Sequence, residues 1–310
     1  MSRMVTGLHH LTALAGDPQA NHDFYTGTLG MRLIKVTVNF DDPSVYHLYF
    51  GDGAGTPGTV ITSFPYGRAL PARRGAGEAT SVTLLVPEGS LARWHARLPE
   101  AREATAFGKR QLRVLDPDGM EVRLEEAPEG VRVPWPGMPL PVEDTIVRMG
   151  SIELAPGPLR TIGAHADTGS LLRTMGMTET AREGATVRYA VGDAFVDVVQ
   201  DETLLALRQS AGSIHHIAFR IADDEAQAAA LESLHAGGVA TSDVRDRDYF
   251  HSIYFREPGG VLFEIATKGP GFTIDETFET LGDELRVPER YQGRIEAIRE
   301  NLGPLDRRRG

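Results

Sequence analysis

Two histidine doublets, in Leu8-His9-His10-Leu11-Thr12 and Ile214-His215-His216-Ile217-Ala218, stand 206 positions apart. One acid follows the second doublet in Val261-Leu262-Phe263-Glu264-Ile265-Ala266. Two imidazole nitrogens and one carboxylate can hold Fe(II) on one face and leave the opposite coordination positions open for a substrate and O2, which is what a non-haem oxygenase requires. Cysteine is absent, which removes disulfides, thiolate ligands and thiol nucleophiles together. Any metal must therefore take nitrogen and oxygen ligands.

The bulk composition narrows the partners. With 310 residues, 41% hydrophobic and 24% charged, the chain reads as globular and long enough for two domains. Lys+Arg 32 against Asp+Glu 43 gives a net charge of -11, which argues against a sequence-independent grip on nucleic acid or an anionic membrane. The expected partner is a small molecule. No apolar run reaches membrane-spanning length, and Met1-Ser2-Arg3-Met4-Val5-Thr6-Gly7 leads into polar histidines without a signal-peptide core, so the sequence predicts a cytoplasmic protein.

The elements that must position these side chains form a repeat: a short β-rich run, a helix, then further β-rich runs, four times over. The first unit has a strand over 8–14, an N-cap and N1 at Asp17-Pro18, a helix that Gly30 can close, and strands over 32–38, 45–50 and 59–64. The second has strands over 81–86, 111–115 and 121–126, with a helix over 90–98 and a turn at Asp116-Pro117-Asp118-Gly119. The third is looser, from Gly150 to the strands over 187–191 and 194–199. In the fourth, a strand over 214–221 precedes an alanine-rich helix over 223–235 stopped by Gly237-Gly238, and a hairpin over 253–266 turns at Glu257-Pro258-Gly259-Gly260. Four βαβββ modules predict an α+β protein whose sheets curl into two half-open barrel domains. The boundaries read as 1–130 for two modules, 131–146 for a linker within a Pro-rich stretch, 147–268 for two more modules, and 269–310 for a tail. An amphipathic helix over 289–301 of that tail is expected to cover the cavity mouth.

The repeat and the doublets resemble the vicinal oxygen chelate (glyoxalase/bleomycin resistance/dioxygenase) superfamily, and within it the hydroquinone-type ring-cleaving dioxygenases. Four segments carry the resemblance over nearly the whole chain: the first doublet; Tyr46-His47-Leu48-Tyr49-Phe50 with Gly55-Thr56-Pro57-Gly58-Thr59; the second doublet with Phe219; and Ser252-Ile253-Tyr254-Phe255-Arg256 through Pro258-Gly259-Gly260 to Phe263-Glu264. The resemblance implies His10, His216 and Glu264 as metal ligands, with His9, Thr12, His215, Arg247 and Tyr254 as neighbouring polar residues of the site. Comparison of the units supports the same ligands independently, because His10 and His216 occupy matching places in the opening strands of units one and four, and Glu264 closes unit four. Pairing those two units would bring all three together.

Several placements stay open at this level. On a regular strand His9 and His215 point away from their neighbours, so both reach the metal only through a bulge or a strand end. With a four-residue hairpin loop Tyr254 lies on the face opposite Glu264, and with an odd-numbered loop beside it. Glu125, Glu153 and Asp197 fall near ligand-equivalent places without a histidine partner, so no second metal site is expected. His22, His47, His95, His165, His235 and His251 lie outside the constellation and read as surface or packing residues.

The implied activity is Fe(II)-dependent ring cleavage, with Mn(II) as the other candidate ion, on a hydroquinone-like or catechol-like diol with O2 as co-substrate. His215 or His9 would take the diol proton, and Arg247 or Tyr254 would steady the developing charge. A glyoxalase-type lyase or isomerase shares the fold but needs a second acid, and Thr59-Val60-Ile61-Thr62-Ser63-Phe64 has none. A non-enzymatic small-molecule binding protein on the same modules is the other class. The sequence leaves open para- against ortho-diols, the native ion, and whether the chain forms a homo-oligomer.

Overall fold

In the computed structural model, residues 3–128, 130–201 and 203–307 are described. All four units are complete. Unit one comprises β1 (Gly7–Ala15), α1 (Pro18–Asp23), a π-helical turn (Phe24–Thr28), β2 (Arg32–Val38), β3 (Tyr46–Gly51) and β4 (Val60–Pro65). Unit two comprises β5 (Glu78–Pro87), α2 (Leu91–Arg97), β6 (Arg102–Ala106), β7 (Lys109–Leu115) and β8 (Glu121–Ala127). Unit three comprises β9 (Arg148–Ala155), α3 (Thr168–Thr174), β10 (Thr178–Glu183), β11 (Thr186–Val191) and β12 (Ala194–Val199). Unit four comprises β13 (Ile214–Arg220), α4 (Asp224–Ala236), β14 (Arg245–Asp246), β15 (Phe250–Arg256) and β16 (Leu262–Pro270).

Local chemistry explains the helix starts: Asp17, Asp167 and Asp223 each accept a backbone N–H of the first turn, satisfying donors that the helix itself leaves free. β6, α3 and β10 were not read from the sequence; the two strands are exposed and carry little alternating hydrophobicity, β10 reading Thr-Glu-Thr-Ala-Arg-Glu, and α3 is a helix of only seven residues. The expected half-barrels exist as two eight-stranded sheets, ordered β14-β15-β16-β13-β1-β4-β3-β2 and β10-β11-β12-β9-β5-β8-β7-β6. Their membership crosses the chain. Units one and four share the first sheet and units two and three the second, so the sheets do not follow the sequential halves 1–130 and 147–268. Local patterning defines a unit, whereas the choice of partner unit is a long-range strand pairing that it does not encode.

Each sheet is built about an antiparallel seam between two opening strands, β1 with β13 and β5 with β9. Both seams carry two register shifts. In the first, one extra residue stands on β1 between Leu8 and His10, and one on β13 between Ile214 and His216; in the second, the corresponding extra residues are Thr80 and Gly150. The 131–146 stretch runs beside unit one, with Gly53 N donating to the Val133 carbonyl at 2.9 Å.

The tail also returns to unit one. Phe272 and Leu281 join Ile34, Tyr49, Val60, Tyr249 and Phe250 in an apolar cluster, and the buried Lys35 of β2 reaches Asp275 at 2.6 Å as well as the buried Glu276. The expected helix over 289–301 is 3-10 helical through Glu289–Arg294 and α-helical only over Ile295–Asn301, here α5. α5 does not line the cavity. Its Ile298, with Leu302, packs on Val38 and Val287, and Tyr291 Oη donates to the Phe40 carbonyl at 2.7 Å, so this part of the tail holds a rim residue in place rather than covering the mouth.

The second sheet carries two arginine–carboxylate pairs where the first sheet carries its histidines. Arg188 makes a bidentate pair with Asp197 at 2.7 and 2.7 Å and lies 3.8 Å from the ring centroid of Phe107 and 4.7 Å from that of Phe195. Arg123 pairs with Glu153 at 2.8 and 3.0 Å. Removing one partner of a buried pair leaves an uncompensated charge, a loss of about 3–5 kcal/mol. Asp197→Ala should therefore lower stability by that order in urea unfolding, while Arg188→Met with Asp197→Leu should recover most of it; an unchanged midpoint for Asp197→Ala would show that the pair is not holding this sheet.

Candidate metal centre

The seam of the first sheet sets opposite each other residues far apart in sequence: Thr12 faces His216 and His10 faces Ala218, while Ala218 faces Glu264 on the neighbouring β16. His10, His216 and Glu264 are all buried, and their ligand atoms lie within 4.8 Å of one another. The edges of the triangle are 3.3 Å for His10 Nε2 to His216 Nε2, 3.3 Å for His10 Nε2 to Glu264 Oε2, and 2.9 Å for His216 Nε2 to Glu264 Oε2. An ion with bonds of about 2.1 Å needs ligand–ligand edges of roughly 3.0 Å in octahedral and 3.4 Å in tetrahedral geometry. The triangle fits such an ion. Glu264 Oε2 is buried without a hydrogen bond of acceptable geometry, although two ring nitrogens stand beside it, whereas Oε1 is held by the Ser252 hydroxyl.

The register shifts decide where the other histidines point. His9 and His215 are the extra residues of the two bulges, and a bulge turns its residues toward the same side as their neighbours. His9 Nδ1 lies 2.9 Å from His10 Nδ1, and His215 Nδ1 lies 2.7 Å from His216 Nδ1. His9 Nε2 lies 3.0 Å from the Thr267 carbonyl, which can only accept. Burial, then the neighbouring His10, brings His9 down to about 3, so at neutral pH it has one N–H, at Nε2. Its Nδ1 must accept from His10 Nδ1, and that leaves His10 Nε2 with a bare lone pair for a metal. Burial and then His216 bring His215 likewise to about 3. Burial opposes the charge of Glu264, but His10 and His216 outweigh it and hold the carboxyl well below its usual range.

The hairpin between β15 and β16 has an odd loop, 257–261, and sets Tyr254 directly opposite Glu264. That places Tyr254 on the ligand face. Arg247 Nε donates to Tyr254 Oη at 3.0 Å, and burial, then the charge of Glu264, keeps the Tyr254 phenol protonated well above its ordinary value. Both residues line a cavity of about 380 Å3 together with His10, His215, His216, Phe40, Phe64 and Phe250. Thr12 Oγ1 lies 2.8 Å from His216 Nε2. The structure thus brings together all eight sequence-derived residues.

One reading needs correction. His47, taken from sequence as a surface or packing residue, is buried and lines this cavity, with Nε2 2.9 Å from Thr62 Oγ1 and Nδ1 2.9 Å from Tyr49 Oη. Ser252, Thr62, Tyr49 and Thr267 were also missed. For Tyr49 and Thr62 the signal is the cross-strand register, in which Tyr49, Thr62, Thr12 and His216 are successive partners on β3, β4, β1 and β13. A larger groove, about 880 Å3, lies against unit three, but it contains no comparable ligand set among the described residues.

The sequence profile of the Glyoxalase/Bleomycin resistance protein/Dioxygenase superfamily matches residues 7–124 and 152–265. The chain belongs to this superfamily. It is 39% identical over 316 aligned residues to MhqO of Bacillus subtilis (strain 168), provisionally named a ring-cleaving dioxygenase, covering 99% of this chain and 98% of that one. It is 36% identical to the chlorohydroquinone/hydroquinone 1,2-dioxygenase of Sphingobium indicum (strain UT26), covering 97% of each. A crystal structure from Bacillus subtilis subsp. subtilis str. 168, provisionally described as a dioxygenase, superposes with a TM-score of 0.90 at 37% identity over 99% of both chains. Glyoxalase I from Zea mays shares the fold, with a TM-score of 0.59 at 12% identity over 85% of this chain and 92% of that one. No helix among the described residues is long and apolar enough to cross a membrane.

If the triad holds a divalent ion, single replacements of His10, His216 or Glu264 by alanine should each abolish metal retention in elemental analysis of the purified protein. Ser252→Ala, which removes only the support of Oε1, should weaken retention by about 10- to 100-fold, the range of outer-shell changes. Full metal occupancy in His10→Ala would exclude this centre.

Proposed function

We propose that the protein is a non-haem iron dioxygenase of the extradiol type, opening the ring of a hydroquinone-like para-diol with O2. The observation that carries the reading is the buried His10–His216–Glu264 triangle facing a cavity walled by Phe40, Phe64, Phe250 and Tyr254. The named activity of the Sphingobium relative, at 36% identity over nearly the full chain, supports the same reaction class. A bound Fe(II) would supply the site at which a deprotonated diol and O2 exchange electrons. Thiolate is unavailable in this chain, and the N2O donor set suits Fe(II) or Mn(II).

The chain's own residues have separable tasks. His215 is neutral and half-buried at the cavity wall, with Nδ1 set against His216 Nδ1, so it is suited to donate its Nε2–H to a diol oxygen rather than to receive the diol proton. The Arg247–Tyr254 pair presents a fixed cation and a phenol hydroxyl beside the same face, where they would steady negative charge developing on the opening ring. Aromatic walls orient the ring by face and edge contacts and keep water out. His9 acts one shell out, through the tautomer of His10. The lyase reading lacks its second acid, because β4 turns Thr62, not a carboxylate, toward Thr12.

Under air, the Fe(II)-loaded protein should consume one O2 per substituted hydroquinone and incorporate both oxygen atoms into a ring-opened product, read by oxygen electrode and mass spectrometry with 18O2. Turnover of a glutathione hemithioacetal under argon, with no O2 uptake on any diol, would replace this assignment with the lyase. Arg247→Ala should keep its metal and lose about 10- to 100-fold in kcat/KM; parent-like kinetics would remove Arg247 from the site.

A further inference from the structure

The cup contains a hydrogen-bonded line with a direction. It begins at the buried Tyr49 hydroxyl, 2.9 Å from His47 Nδ1, continues from His47 Nε2 to Thr62 Oγ1 at 2.9 Å and from Thr62 to Thr12 at 2.8 Å, and ends at His216 Nε2, 2.8 Å from Thr12. Tyr49 Oη has no other hydrogen-bond partner among the described residues, and burial keeps its phenol protonated far above the usual value. Its hydrogen must go to His47 Nδ1. Burial, reinforced by His10, His216 and Arg247, holds His47 well below the ordinary imidazole value. A neutral imidazole that accepts at Nδ1 has its one N–H at Nε2. That N–H donates to Thr62, and Thr62 then donates to Thr12, which leaves the Thr12 hydrogen directed away from Thr62, on the side where His216 Nε2 lies at 2.8 Å.

His216 Nε2 is also the atom that would bind the metal, and with an ion there no lone pair remains on it for the Thr12 hydrogen. That hydrogen cannot turn back, because the Thr62 hydrogen already points at the Thr12 oxygen. It is left to turn toward the ligand triangle, whose His10 and His216 line the cup.

We propose that His47 is a positioning residue which, through Thr62, fixes the Thr12 hydroxyl as a hydrogen-bond donor directed at the substrate oxygen on the metal face. The proposal rests on the dioxygenase reading for its substrate, but the direction of the line rests on the protein alone. Without the His47 N–H the two threonine hydroxyls could reverse, and Thr12 would offer a lone pair where the substrate's oxygen needs a donor.

Two measurements test it. Long-range 1H–15N spectra of the metal-free protein labelled at histidine nitrogen should show His47 as the Nε2–H tautomer; an Nδ1–H tautomer overturns the direction and with it the proposal. In the Fe(II)-loaded protein, Thr62→Val, which keeps the shape and removes the hydroxyl, and His47→Leu should both retain metal and lower kcat by about 10- to 100-fold with a smaller change in KM. His47→Gln, whose amide can still donate to Thr62, should recover most of the loss, a rescue that a packing role for the ring would not give. Parent-like kcat in metal-replete Thr62→Val overturns the proposal. The imidazole spectrum needs no turnover, so it decides the proposal even for a parent that opens no diol ring, a result that would instead sink the dioxygenase reading.

Discussion

The antiparallel pairing of β1 with β13 is the constraint on which the site depends. It joins residues 206 positions apart, and no local element could bring His10 and His216 to within 3.3 Å. Because the two strands run in opposite directions about a local two-fold relation, each contributes one bulge, and each bulge carries the first histidine of a doublet. The second histidine of each doublet then points Nε2 inward while its Nδ1 meets the neighbouring ring. One seam sets both ligand positions and both supporting imidazoles. β16, parallel to β13, needs only to match register with Ala218 to add Glu264.

The second sheet is an internal control for this argument. Its β5–β9 seam repeats both bulges, with Thr80 and Gly150 where the first sheet has His9 and His215. By register, Ser81, Ser151 and Asp197 occupy the places of His10, His216 and Glu264. The bulges therefore belong to the fold, and the chemistry belongs to what the sequence puts on them. With serines in place of imidazoles, the acid that remains, Asp197, is neutralised by the Arg188 guanidinium, a compensation that burial of a carboxylate demands. The same geometric place thus takes a covalently attached cation in one sheet and offers open ligand atoms in the other.

Residue types and unit spacing made the ligand set legible, because doublets at equivalent places in two opening strands are visible without knowing the fold. What the sequence withheld was register. Whether His9 faces in or out turns on one unpaired residue in a strand, and whether Tyr254 lies beside Glu264 turns on a five-residue rather than a four-residue loop. His47 was missed for the same reason: its neighbours in the cup come from β1, β3 and β4, and alternation along β3 alone cannot say which face meets the histidines. That each sheet joins units from both sequential halves is a larger version of the problem, since repeats mark out units without the register by which they pair. Exposed strands such as β10, rich in Thr and Glu, gave too little apolar contrast to be seen.

The apolar surroundings make the triad electrostatically incomplete as protein alone. Phe250 packs against both His9 and His10, with centroids 4.9 and 5.1 Å away, and the tail residue Phe272 closes over the neighbouring Tyr49 and Tyr249. Lys35, the nearby buried lysine, is committed to Asp275 and Glu276 and so fastens the tail rather than serving the cup. Glu264 is left with no solvent exposure and with one oxygen lacking a hydrogen bond of acceptable geometry, beside two imidazole nitrogens. Without an ion only protons on those imidazoles offset the buried carboxylate, and a divalent cation at the same point would take their place. Packing in the hydrophobic clusters and the tail's ion pairs hold the walls around that concentration of charge, and a divalent ion of the kind the donor set fits would neutralise it in place.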